Sequence, residues 1–81
     1  MESLLLDTCA LVWLAKGDRH LSKRTLQLID RASSVFVSSI SAWEIAWKYQ
    51  NGDLDLPCDP LRWFRGAIVQ HHVSELPLDS E

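Results

Sequence analysis

The chain has 81 residues, 47% of them hydrophobic, with four tryptophans and a formal net charge of −3. That length allows one domain at most, the apolar content argues against disorder, and the acidic balance excludes strong non-specific attraction to nucleic acid. No window reaches the roughly 18 consecutive apolar residues of a membrane span, and the N-terminus has no basic, cleavable leader, so a soluble, cytoplasmic chain is expected.

Ser3 to Leu6 form a short apolar run that predicts a strand, ending at Asp7 and Thr8, both good helix N-caps. An apolar helical stretch, expected to be buried, follows to Ala15, and Lys16 with Gly17 supplies a basic last turn and a stop. Ser22 is expected to cap a second helix through about Ala32, with Leu26 and Ile29 three apart and Leu28 and Ala32 four apart. Ser33 and Ser34 break that pattern, and VFVSS from Val35, β-branched and aromatic, predicts a second strand. Ser41 and Glu44 read as an S-x-x-E capping box that opens a third helix, closed by Asn51 and Gly52. LDLPCDP reads as a loop, LRWFRGAIVQHH as a fourth helix and HVSELPL as a third short strand. The spacings between strands are long enough for crossovers, so the order predicts an α/β domain on a parallel sheet.

In an open parallel sheet, ligands bind beyond the carboxyl ends of the strands. Asp7 falls at such an end, as the one charge between Leu4 and Leu14, and Glu44 sits one turn into the helix after the second strand. Two carboxylates converging there would bind a hard divalent cation such as Mg²⁺. Each has a simpler explanation: Asp7 as a helix cap, Glu44 as the partner of Ser41 in the capping box or of Lys48 at i+4.

The remaining chemistry-bearing residues carry less. Lys16, Arg19, Lys23 and Arg24 cluster in KGDRHLSKR and form the one local patch that could meet RNA, although a solvated helix face explains them more simply. His71 and His72 are adjacent and on a helix cannot ligate one metal; both are expected at the surface, and His20 in a loop without a partner. Cys9 and Cys58 show no metal or redox spacing and are expected as reduced, packed thiols. Trp43 and Trp47, at i and i+4, are expected in the core rather than as a base-stacking platform.

Taken in order, LLLDTCALVWL, the LS at Leu21 and Ser22, VFVSSISAWEIAWKYQNGDLDLP and the late LPL resemble the N-terminal part of a PIN domain. More narrowly, they resemble the VapC-type ribonuclease toxins of bacterial toxin-antitoxin pairs. The resemblance implies a single, partial PIN domain over residues 1–81, a parallel sheet with helices on both faces that lacks its C-terminal strands and helices. It implies that Asp7 and Glu44 are the first two catalytic, metal-binding acids, with Thr8 and Ser39 as polar supports. Mg²⁺ or Mn²⁺ would be the cofactor, RNA the substrate, a cognate antitoxin the partner and a homodimer the assembly. The metal would acidify a bound water for in-line attack on the phosphodiester.

The family's third acid, in a segment resembling H-x-D-P-x-D-R-x-x-x-A, has no counterpart in this sequence, and Asp79 is a poor substitute for it. Such a truncation would leave the first strand as an apolar edge. The alternative to an active nuclease is a catalytically inactive PIN remnant that binds an antitoxin or dimerises.

Overall fold

The computed structural model describes residues 2–77. Strands β1 (Ser3–Leu6), β2 (Ser34–Ser38) and β3 (Val73–Leu76) form one sheet in the order β1-β2-β3, with both pairings parallel. Helices α1 (Thr8–Lys16) and α2 (Lys23–Arg31) make the first crossover, α3 (Ser39–Gln50) and α4 (Pro60–Gln70) the second. This is the α/β arrangement expected from the order of apolar runs.

The helix ends are set by local chemistry. Asp7 and Ser22 cap α1 and α2 by accepting from Ala10 N and Thr25 N. Gly17 closes α1 in the left-handed conformation at φ 66°, where its N–H reaches the carbonyls of Trp13 and Leu14. Asp59 caps α4, and Pro60 supplies a first helical residue that has no N–H to leave unsatisfied.

The register aligns Leu6 with Val37 and Val35 with Val73, so these side chains share one face of the sheet. They form the core with Leu11 of α1, Ile45 of α3 and Phe64 of α4. Phe64, Leu11, Ile45 and Val37 are fully buried, each worth about 1.5–3 kcal/mol relative to exposure. Leu5, Phe36 and Ser74 alternate onto the other face, where Leu5 remains 65% exposed. Among the described residues β1 pairs with β2 alone and is therefore an edge. The molecule is thin, with extents of 37 × 37 × 17 Å.

Four expectations need correction. The S-x-x-E capping box does not form: β2 runs directly into α3, and Ser38 caps it by accepting from Ile40 N at 3.2 Å. The helix therefore begins earlier, Ser41 lies inside it, and Glu44 falls in its second turn. Trp43 and Trp47 are not core residues; they are 76% and 67% exposed. Ser41 and Ile45 define the inward side of α3, and a tryptophan two positions beyond each is rotated by about 200° to the outward side. In α1 only Thr8 and Leu11 are buried, since a single stripe of the helix faces the core, and Cys9 is exposed. Finally, α4 stops at Gln70, and His71 and His72 form the turn into β3, His72 at φ 55°. Leu78 and Asp79 lie outside the described residues.

Two substitutions test this reading. Gly17→Ala meets no atom within 4 Å, so its cost is the left-handed backbone alone, about 1 kcal/mol in urea denaturation. Phe64→Ala removes a fully buried ring and is expected to cost about 3–5 kcal/mol, enough to abolish a cooperative melt in so small a chain.

Candidate metal centre

Thr8, the first residue of α1, and Ser41 of α3 are the buried polar residues among those described, at 5% and 3% exposure. Thr8 Oγ1 lies 3.0 Å from Ser41 Oγ and 2.8 Å from Glu44 Oε1. Glu44 is thus held against the residue that follows Asp7, and the carboxyl ends of β1 and β2 are joined through side chains. Asp7 Oδ1 accepts from Ala10 N at 2.7 Å as the α1 cap. Among the described residues neither Asp7 Oδ2 nor Glu44 Oε2 accepts a hydrogen bond from the protein, and both side chains belong to exposed residues.

The simpler explanations of Glu44 do not hold. With α3 capped by Ser38 it serves no capping box, and among the described residues it forms no ion pair with Lys48. Lys48 instead reaches Cys9 Sγ at 3.9 Å. Asp7 does cap its helix, but that use occupies one oxygen. Free carboxylate oxygens at adjacent helix starts are hard donors that fit Mg²⁺ or Mn²⁺, which take oxygen ligands and retain waters. Among the described residues no group of three or more His, Cys, Asp or Glu could hold a metal ion, so this pair offers only part of a coordination shell.

Ser39 does not join the cluster. Its hydroxyl is directed to β3, at 2.7 Å from Glu75 Oε2 and 3.0 Å from the Leu76 carbonyl. The serine beside Thr8 and Glu44 is Ser41, whose apparent capping spacing concealed its inward position in sequence. Nor do the basic residues converge on the acids. Lys16 ends α1, about 12 Å of helix from Thr8, and donates to the Asp55 carbonyl at 3.0 Å. Arg19, Lys23 and Arg24 are exposed in the following loop and the first turn of α2.

His20 is not without a partner: its Nδ1 lies 2.6 Å from Asp18 Oδ1, and its ring stacks on Trp13 at 5.2 Å between centroids. The His20 backbone N–H, and then its ring, stabilise the Asp18 carboxylate and lower its pKa.

A cavity of about 620 Å³ lies at the other end of the sheet, between α2, the start of β2 and His71. It contains neither acid. His71 is half-buried rather than a surface residue, and its Nε2 is buried without a hydrogen-bond partner among the described residues. The groove that does include Glu44 is smaller, about 280 Å³, and is lined by Trp43, Trp47 and Lys48. Size favours the first cavity, but the Thr8–Glu44 contact next to the Asp7 end of β1 favours the second region.

A PIN domain model matches residues 4–81 of the chain. The chain belongs to the PIN domain family. It is similar to Ribonuclease VapC22 of Mycobacterium tuberculosis (strain ATCC 25618 / H37Rv), with 28% identity over 71 residues, 88% of this chain and 54% of the relative. This PIN chain therefore spans about half the length of the curated relative it matches. No solved structure matches it.

Thr8→Val keeps the shape of Thr8 while leaving Ser41 and Glu44 without its hydroxyl; the expected loss is about 1–3 kcal/mol in urea denaturation. At Asp18, His20→Ala removes the ring but keeps the backbone donor. Its carboxyl titration, followed by ¹³C NMR, is expected to move part of the way up toward the usual aspartate range.

Proposed function

We propose that this PIN chain carries part of the acidic site of a VapC-like, divalent-metal-dependent endoribonuclease that hydrolyses RNA phosphodiesters. The observation that supports the reading is the Thr8 hydrogen bond that holds Glu44 beside the Asp7 end of β1. Asp7 and Glu44 would hold Mg²⁺ or Mn²⁺ through their free oxygens, and Thr8 would orient Glu44. When bound, the cation supplies an acidified water and neutralises charge on the scissile phosphate. Between them the two acids offset a divalent charge while leaving coordination positions for water and a phosphate oxygen.

The partners proposed are an RNA substrate, a cognate antitoxin and a second copy of the chain. The relative is named a ribonuclease, and this chain is similar to it over 71 residues. Among the described residues no helix is long and apolar enough to cross a membrane. Both cysteines are free, in keeping with the cytoplasm as the proposed setting. Ser39 and the basic residues Lys16, Arg19, Lys23 and Arg24 would act away from the metal, the serine at the α3–β3 junction and the bases on flanking RNA.

A second reading, a catalytically inactive module that binds an antitoxin or self-associates, is favoured by the lack of a third converging ligand among the described residues. One experiment separates them: cleavage of single-stranded RNA with Mg²⁺ or Mn²⁺ by the chain, by Asp7→Asn and by Glu44→Gln. The nuclease reading expects cleavage that is lost with chelator and falls to background in both variants. Cleavage that survives both substitutions overturns it. No cleavage by the parent, together with retained binding of an antitoxin peptide, supports the second reading.

A further inference from the structure

Trp43 and Trp47 stand on the outward side of α3 with most of their surface exposed. Being one helical turn apart, they form a single row along the helix. They do not stack on each other: the stacked aromatic pair among the described residues is Trp13 with His20. Beside them runs a second row, Glu44 and Lys48, with the same spacing, and these four side chains line the groove of about 280 Å³. The second row lies toward α1, since Glu44 meets Thr8 and Lys48 approaches Cys9 Sγ.

We propose that this groove is a stacking site for an unpaired RNA base, held by Trp43 and Trp47. The inference rests on the RNA-cleaving reading of Asp7 and Glu44 and names where a nucleotide beside the scissile phosphate lies. A flat ring placed between two others needs about 7 Å, twice the contact distance between carbon atoms. The helix rises about 6 Å between the two tryptophans, so their indoles can flank one base.

The charges of the groove select its occupant. A nucleotide has an apolar face for the indoles and, attached to it, a phosphate for the polar row, where Lys48 offers a cation and Glu44 is the proposed metal ligand. An apolar protein segment laid in the same groove would strip water from Glu44 and Lys48 without pairing either, which is costly. Duplex RNA does not fit, because its bases are stacked on one another and present no open face. The site therefore selects single strands and tolerates any sequence, since every base has a π face.

The test uses the full 81-residue chain with fluorine-labelled tryptophans and a short fluorescent single-stranded RNA. ¹⁹F NMR reports contact with a base through ring-current shifts, and fluorescence anisotropy reports affinity. Both are read in chelator, where no metal-dependent cleavage intervenes. The Trp43 and Trp47 signals are expected to shift with RNA, while those of Trp13 and Trp63, which pack on His20 and the core, stay in place. Trp43→Ala and Trp47→Ala each weaken binding by about 10-fold, and Trp47→Phe, which keeps a ring, by less. Val69→Ala, at an exposed apolar residue of α4, changes neither reading, and the same RNA annealed to its complement shifts neither signal.

Unmoved Trp43 and Trp47 signals, full affinity in both alanine variants, or no RNA binding by the parent overturn the proposal. So does a dimer in analytical ultracentrifugation that both alanine variants dissolve, since a second copy would then fill the groove. If both signals shift but RNA stays intact when Mg²⁺ is supplied, the stacking site stands and the nuclease reading alone fails.

Discussion

Parallel pairing of β2 with both of its neighbours is the constraint from which the rest of the structure follows. Parallel strands cannot be joined by tight turns, so every connection must recross the sheet, and here each does so through two helices. All the strands then end on one side. The helices that leave β1 and β2 start together there, which brings Asp7 and Thr8 close to Ser41 and Glu44 although more than thirty positions separate them. The same geometry directs Leu6, Val35, Val37 and Val73 to one face, where Leu11, Ile45 and Phe64 complete a small core.

At the helix starts, stability and site geometry share atoms. Asp7 uses one carboxylate oxygen to cap α1 and leaves the other without a hydrogen bond among the described residues. Thr8 is buried where its hydroxyl must be satisfied, and the partners that satisfy it are Ser41 and Glu44. A buried hydroxyl costs little once it is hydrogen-bonded, and the bonds restrict the side chains that make them. Glu44 is therefore placed by the packing of α1 on α3 more than by its own helix.

The opposite side of the ledger is exposed apolar surface. Leu5, Trp43 and Trp47 are each more than half exposed, and the outer edge of β1 is unpaired among the described residues. An apolar strand edge is a template for another strand, and outward tryptophans beside Glu44 form a groove with Lys48.

Much of this was legible in the residues alone. Caps at Asp7 and Ser22, the glycine stop at Gly17 and the β-branched run at Val35 placed the elements, because these signals act within a turn of chain. The ordered LLLDT and SAWEIA segments pointed to the PIN family, whose model matches residues 4–81. Tertiary structure decided what local spacing could not. Ser41 to Glu44 matches a capping box in spacing, yet the helix begins at Ser39 because Ser38, at the end of β2, supplies the cap. Trp43 and Trp47 have core-like spacing, yet face outward because Ser41 and Ile45 hold the inner side. Which serine meets Thr8 depends on how two helices cross, and that is a property of the packed sheet rather than of any short segment.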